Sequence, residues 1–215
     1  MREQVIEQIS QKKLVAIVRG IADKDQCLQT VSAIGEGGIN LVEITFNQSA
    51  PERFSETTNA ISLISQHLPH ICVGAGTVLT VEQVQMAADA GAKYIISPDA
   101  NPEVIRKTRD LGLVSIPGVL TPTEAVQAVA EGADFAKLFP AGLFGSAYIK
   151  ALKAPLSHIK MLAVGGIDAN NIPEFLKAGC DGFGVGGNLV NKAWIEAGEY
   201  HKITEVAKEL CAALV

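Results

Sequence analysis

Short apolar runs alternate along the chain with longer stretches in which apolar residues recur at helical spacing. The runs fall at 15–18, 41–46, 71–73, 94–96, 114–116, 135–139, 161–164 and 182–185. They are too short for buried helices, and several are closed by glycine, proline or asparagine, which reads as strands buried on both faces. The stretches 23–37, 51–67, 81–90, 123–131, 145–152 and 172–178 carry helical periodicity, and another leads up to Leu111. A short helix precedes the first run, with Val5, Ile6 and Ile9 on one side. An amphipathic tail at 204–214 places Val206, Leu210 and Leu214 on one side. Strand-like and helix-like units repeat every ~20–30 residues, the length of a β/α unit. No linker or composition shift divides them, so the pattern predicts one domain over 1–215: an α/β chain folded as a (β/α)8 TIM barrel with an N-terminal helix. The rival is an open doubly wound sheet. Two features favour closure: no run has the character of a polar edge strand, and polar residues suited to chemistry follow many strands rather than one switch point.

Composition narrows the function classes. The 215 residues are 48% hydrophobic, enough for a sizeable core, with a net charge of −5. That balance, without a basic run, argues against a nucleic-acid partner. No apolar run approaches the ~18 residues of a membrane span, and the charged start is unlike a signal peptide. Cys27, Cys72, Cys180 and Cys211 form no CxxC pair and are expected as reduced thiols in a cytoplasmic protein. His67, His70, His158 and His201 make no metal-binding spacing, so no catalytic metal is expected.

Two charges interrupt apolar runs. Lys137 lies in Phe135-Ala136-Lys137-Leu138-Phe139-Pro140, sharing a strand face with Phe135 and Phe139. A buried ammonium needs a lowered pKa or a partner. Lys137 is therefore either a Schiff-base nucleophile or a structural cation. Glu43 interrupts the second run in the same way. Facing inward with Lys137, it serves either as a general acid and base or as half of a structural ion pair. In a barrel the working site lies at the carboxyl ends of the strands, where Arg19, Thr45, Asn47, Thr77 and Ser97 also fall. Arg19 is a carboxylate clamp or a solvated strand end. Thr77, closing Gly74-Ala75-Gly76-Thr77, is a ligand contact or a turn with a helix cap. Gly165-Gly166 and Gly186-Gly187, followed by Asn188, close the last two strands, where barrels often build a phosphate site.

Taken together, these stretches resemble the bacterial class I pyruvate aldolases that cleave 2-keto-3-deoxy-6-phosphogluconate (KDPG) and 4-hydroxy-2-oxoglutarate (KHG). The motifs occur in order over essentially the whole chain: AIVRG at Arg19, VEIT at Glu43, VGAGTV at Thr77, ISP at Pro98, PGVLTPTE from Pro117, KLFPA from Lys137, VGGI at Gly165-Gly166 and EAGEYHKIT near the end. The resemblance implies that Lys137 forms the Schiff base and that Glu43 moves protons. It implies that Arg19, Thr77, Asn47, Pro98 and Phe139 contact substrate, and that Gly165, Gly166, Gly187 and Asn188 hold the phosphate. It further implies a homotrimer without metal or organic cofactor, acting on a small phosphorylated 2-keto acid.

Three positions depart from the common pattern. Asn47 stands where many members have arginine, Val164 where many have threonine, and Asn188 where many have serine. Asn47, Val164 and the 144–153 stretch look like the related aldolase for 2-keto-3-deoxy-6-phosphogalactonate (KDPGal). Two other functions share the barrel: phosphosugar isomerisation with Glu43 as base, and binding of phosphorylated acids without chemistry.

Overall fold

The computed structural model describes residues 1–215. Helix α1 (Arg2–Lys12) precedes strand β1 (Leu14–Val18), and the chain then alternates. In order follow α2 (Lys24–Glu36), β2 (Leu41–Thr45), α3 (Phe54–His67), β3 (Cys72–Gly76), α4 (Val81–Asp89), β4 (Tyr94–Ile96), α5 (Pro102–Asp110), β5 (Val114–Ile116), β6 (Gly118–Val119), α6 (Pro122–Ala130), β7 (Ala136–Leu138), α7 (Ala141–Lys153), β8 (Met161–Val164), α8 (Ile172–Lys177), β9 (Gly182–Val185), α9 (Lys192–Glu196) and α10 (Tyr200–Ala212).

The strands lie in the order β5-β4-β3-β2-β1-β9-β8-β7-β6, and every pairing is parallel. Only Pro117 separates the two end strands, β5 and β6. Proline has no N–H to give to a ladder, so the pairing is interrupted there. Its carbonyl still accepts from Lys137 N at 2.8 Å, and Ser115 O accepts from Phe135 N at 3.3 Å. β5 and β6 are thus one stave broken at a proline, and the eight staves close into the expected (β/α)8 barrel.

Alternation along the strands sorts the side chains into two layers. Val42, Ile44, Ala136, Leu138, Met161, Ala163, Phe183 and Val185 point outward into a 48-residue cluster beneath the helices. Val15, Leu41, Tyr94, Ile96, Val114, Ile116, Phe135 and Leu162 fill the barrel's interior. Most of these stand near strand beginnings, so this layer lies at the amino end. Val5 and Ile9 of α1 join the same cluster, and α1 therefore plugs the floor. The interior opens at the carboxyl end.

The helices differ from the sequence expectation in three places. α7 starts at Ala141 rather than 145 and breaks at Gly145, whose φ of 74° leaves the helical region. α10 starts at Tyr200 rather than 204. α9 spans too few residues to show a period in the sequence. The expected start of α6 is close, and Thr121 and Glu124 form a reciprocal capping box around it. The four cysteines are free thiols. No helix is long and apolar enough to cross a membrane.

Candidate active site

Among the inward side chains one step above the apolar floor are Glu43 and Lys137. Glu43 pairs in register with Ile17 on one side and Gly74 on the other. Lys137 pairs with Gly118 and Leu162. They are 1% and 6% exposed. Both line one open cavity of about 590 Å³ at the carboxyl end of the barrel.

Glu43 fits because its neighbour is a glycine. A Cβ on Gly76 would lie 1.6 Å from Glu43 Oε1, so the carboxylate rests in the space that any other residue would fill. Oε2 is buried without a hydrogen-bond partner. Burial raises the pKa of Glu43, against the opposing pull of the Lys137 and Arg19 charges. Burial lowers the pKa of Lys137, assisted by Arg19 and opposed by Glu43. The ammonium also stands 5.1 Å from the centroid of the Phe139 ring. The two groups feel each other's charge, yet Lys137 takes part in none of the ion pairs within 4.0 Å. A structural ion pair in the barrel would touch. This pair leaves space between an acid with a free oxygen and an amine biased toward its neutral form.

Ten of the eleven residues to which the family resemblance gives a role line this cavity: Arg19, Glu43, Thr77, Pro98, Lys137, Phe139, Gly165, Gly166, Gly187 and Asn188. Arg19 Nη2 donates to Thr77 Oγ1 at 3.1 Å, tying the ends of β1 and β3 across the mouth. Thr77 has φ 56°, a left-handed conformation rare for a β-branched residue and found mostly at functional sites. Gly165 and Gly166 have φ of 88° and 73°. The Phe139 ring packs against Gly165, where a Cβ would come within 3.1 Å of it.

Asn47 corrects the expected placement. It is exposed and lines a neighbouring cavity of about 260 Å³ with Thr45, Arg53 and Lys192. Its Oδ1 accepts from Ser49 N at 3.1 Å and its carbonyl accepts from Ala50 N at 3.1 Å. The side chain thus closes its own turn instead of facing the mouth. Ser97 is buried and also does not line the main cavity.

The sequence reading did not single out Ile17, Ile167 or Gly184, which complete the lining with Val164 and Gly186. Ile17 could have been found, because it stands on β1 two residues before Arg19, at the alternation that shares its face. It also missed Gln48 and Gln83, which lie behind Thr77. Gln83 is 2% exposed. Its place on a helix face with Val84 and Ala87 was the only signal.

Comparison with known proteins places the chain as a whole. The family model for KDPG and KHG aldolase matches residues 5–206. The 2-dehydro-3-deoxy-6-phosphogalactonate aldolase of Escherichia coli strain K12 is 40% identical over 177 residues, which are 82% of this chain and 83% of that protein. The 2-dehydro-3-deoxy-phosphogluconate aldolase of Haemophilus influenzae is 30% identical over 213 residues, 97% of this chain and 95% of that protein. A solved native KDPGal structure shares 36% identity over 93% of each chain, with a TM-score of 0.82.

Proposed function

The chain belongs to the KDPG and KHG aldolase family, and from that premise we propose that Lys137 and Glu43 cleave a 2-keto-4-hydroxy acid through a Schiff base. The observation that carries this assignment is their burial in one cavity with opposed pKa shifts and no direct contact. Neutral Lys137 adds to the C2 ketone, and the carbinolamine loses water to give an imine. The imine accepts the electrons of the C3–C4 bond as it breaks. Glu43 takes the C4 hydroxyl proton, so an aldehyde leaves and an enamine remains. Glu43 returns the proton to C3, forming the methyl group. Water then hydrolyses the imine, frees pyruvate and regenerates the amine.

KDPG would release glyceraldehyde 3-phosphate, and KHG would release glyoxylate. Val164 in the cavity wall and the 40% identity to a KDPGal aldolase support that substrate as a second reading. The phosphate would lie on the backbone at Gly165-Gly166 and at Gly187-Asn188. Arg19 and Thr77, joined by their hydrogen bond, would hold the keto-acid end.

We take residues 1–215 to work as one barrel domain. We also assign a homotrimer, supported by exposed apolar side chains on neighbouring helices. Val126 and Val129 of α6 are 48% and 37% exposed, and Leu143 and Phe144 of α7 are 83% and 45% exposed. Unpaired cysteines accord with a cytoplasmic location. Incubation with pyruvate, borohydride reduction and peptide mass spectrometry test the chemistry. A pyruvate-derived adduct on Lys137 is expected. Modification elsewhere, or none, would leave an isomerase or a non-catalytic binding barrel as the better description.

A further inference from the structure

Thr77 is held by a hydrogen-bonded chain that no other part of the site uses. Gln48 Nε2 donates to Thr77 O at 2.5 Å. Gln48 Oε1 accepts from Gln83 Nε2 at 3.0 Å. Gln83 Oε1 in turn accepts from Leu79 N at 2.7 Å, and Gln83 N donates to Thr80 Oγ1 at 3.3 Å. The chain links the loop after β2 and the first turn of α4 to the Thr77 carbonyl and the Leu79 N–H. Apart from the backbone bond to Thr80, every link needs a side-chain amide: each glutamine donates with its nitrogen and accepts with its oxygen, which neither glutamate nor methionine can do.

The conformation being held is the unusual one. Apart from Lys13 at the end of α1, Thr77 is the only non-glycine residue with positive φ. A β-branched side chain resists this conformation, and such strain persists only where its surroundings over-determine it. The strain has a consequence at the mouth. With φ 56°, Thr77 turns its carbonyl back to Gln48 while its hydroxyl lines the cavity and accepts from Arg19. A relaxed Thr77 would lose that direction, and Arg19 would lose its acceptor.

We propose that Gln83 and Gln48 are positioning residues, a buried amide clamp that keeps Thr77 in the left-handed conformation so that its hydroxyl and Arg19 face the keto-acid end of the substrate. The inference rests on the aldolase reading with the carboxylate of pyruvate at Thr77. It adds that affinity for this end is set from behind the barrel wall, by side chains that never touch the ligand. Neither glutamine touches Lys137 or Glu43, so the clamp acts on binding rather than on the capacity of the amine to react.

The test is the pyruvate concentration that gives half-maximal borohydride trapping, measured for wild type, Gln83→Met, Gln48→Met, Thr77→Val and the double variant Gln83→Met/Thr77→Val. Gln83→Met keeps length and helix propensity while removing both amide bonds. It is expected to raise the half-saturating concentration about tenfold or more, with maximal trapping on Lys137 unchanged. Gln48→Met, at a less buried position, should give the same shift and covers the case in which the Gln83 variant folds poorly. In the Thr77→Val background the clamp has no hydroxyl to aim, so the double variant should be no worse than the weaker single variant. Half-saturation within twofold of wild type in both glutamine variants overturns the clamp, as does a double variant in which the two penalties multiply. Failure of wild type to trap pyruvate removes the aldolase reading and the clamp with it, and is distinct from failure of the clamp alone.

Discussion

The closest approach in the site sets up a sharp prediction for Gly76→Ala. Gly76 lacks a positive φ, so its backbone accepts alanine without strain. The whole effect then comes from one new methyl group. That Cβ would stand 1.6 Å from Glu43 Oε1 and 2.2 Å from its Cδ, whereas ordinary contact begins at 3.4 Å. The carboxylate must therefore move by about 2 Å, or β3 must give way. Displacing a catalytic group by ~1 Å can cost about 100-fold in rate. Overpacking a core by one methyl costs about 1–3 kcal/mol in stability. Turnover can be followed by reducing released pyruvate with lactate dehydrogenase, and stability by urea unfolding. The expected result is a loss of kcat of at least about 100-fold, with a stability loss of about 1–3 kcal/mol. Pairing Gly76→Ala with Glu43→Asp, one methylene shorter, should recover part of the lost rate. A Gly76→Ala enzyme within about threefold of wild-type kcat would refute the placement of Glu43 as the working acid.

Three further outcomes follow from the same geometry. The rate of pyruvate adduct formation should rise with pH and level off below the ordinary lysine value of 10.5, because burial makes the Lys137 amine neutral earlier; a rate still climbing steeply through pH 10 would contradict the burial argument. Glu43, with its raised pKa, makes its full contribution to stability below the ordinary value of 4.5 and loses it as pH rises through the folded value, whereas Lys137, with its lowered pKa, does so only above 10.5 and loses it as pH falls. Both groups therefore cost stability near neutral pH, and Lys137→Met/Glu43→Gln should be inactive yet more stable there by about 1–4 kcal/mol in urea unfolding. Away from the site, a Cβ on Gly37 would lie 2.3 Å from Ala207 Cβ and 2.8 Å from Thr204 O, so Gly37→Ala should wedge α10 off α2 and lower stability by about 1–3 kcal/mol without changing KM.

What the sequence revealed tracks the range of the interaction involved. Strand and helix periods are local, so all eight staves were legible. Lys137 and Glu43 were equally plain, because a charge inside an apolar run violates the pattern around it. Details that depend on cross-strand neighbours were not. Gly76 ends β3 in a glycine-rich stretch, and nothing in that stretch says that the Glu43 carboxylate rests on it. Asn47 follows a strand as directly as Arg19 does, but the direction of its side chain is decided by its own turn with Ser49 and Ala50. Pro117 divides one stave into β5 and β6 through a missing donor, which is visible only once Lys137 N is seen bonding to its carbonyl. Gln48 and Gln83 stand far apart in sequence, and only the fold brings their amides together.

The barrel gains its chemistry from being sealed at one end. α1 closes the floor with Val5 and Ile9, and Phe135 and Leu162 fill the layer beneath Lys137. Without that plug, water entering from the amino end would solvate the amine and return its pKa toward the usual range. Three groups work against the lowered value: the Glu43 charge, the Phe139 ring face worth about 0.5–2 kcal/mol to an ammonium, and the open mouth itself. Burial exceeds them because neither charge reaches the other. A direct ion pair would fix the ammonium form and make Lys137 a poor nucleophile. In the proposed mechanism, Glu43 resting on Gly76 beyond ion-pair distance of Lys137 leaves the amine free to react and an acid oxygen free to receive a proton. The separation between the two side chains, more than their presence, is what in that proposed mechanism lets Lys137 act on a ketone.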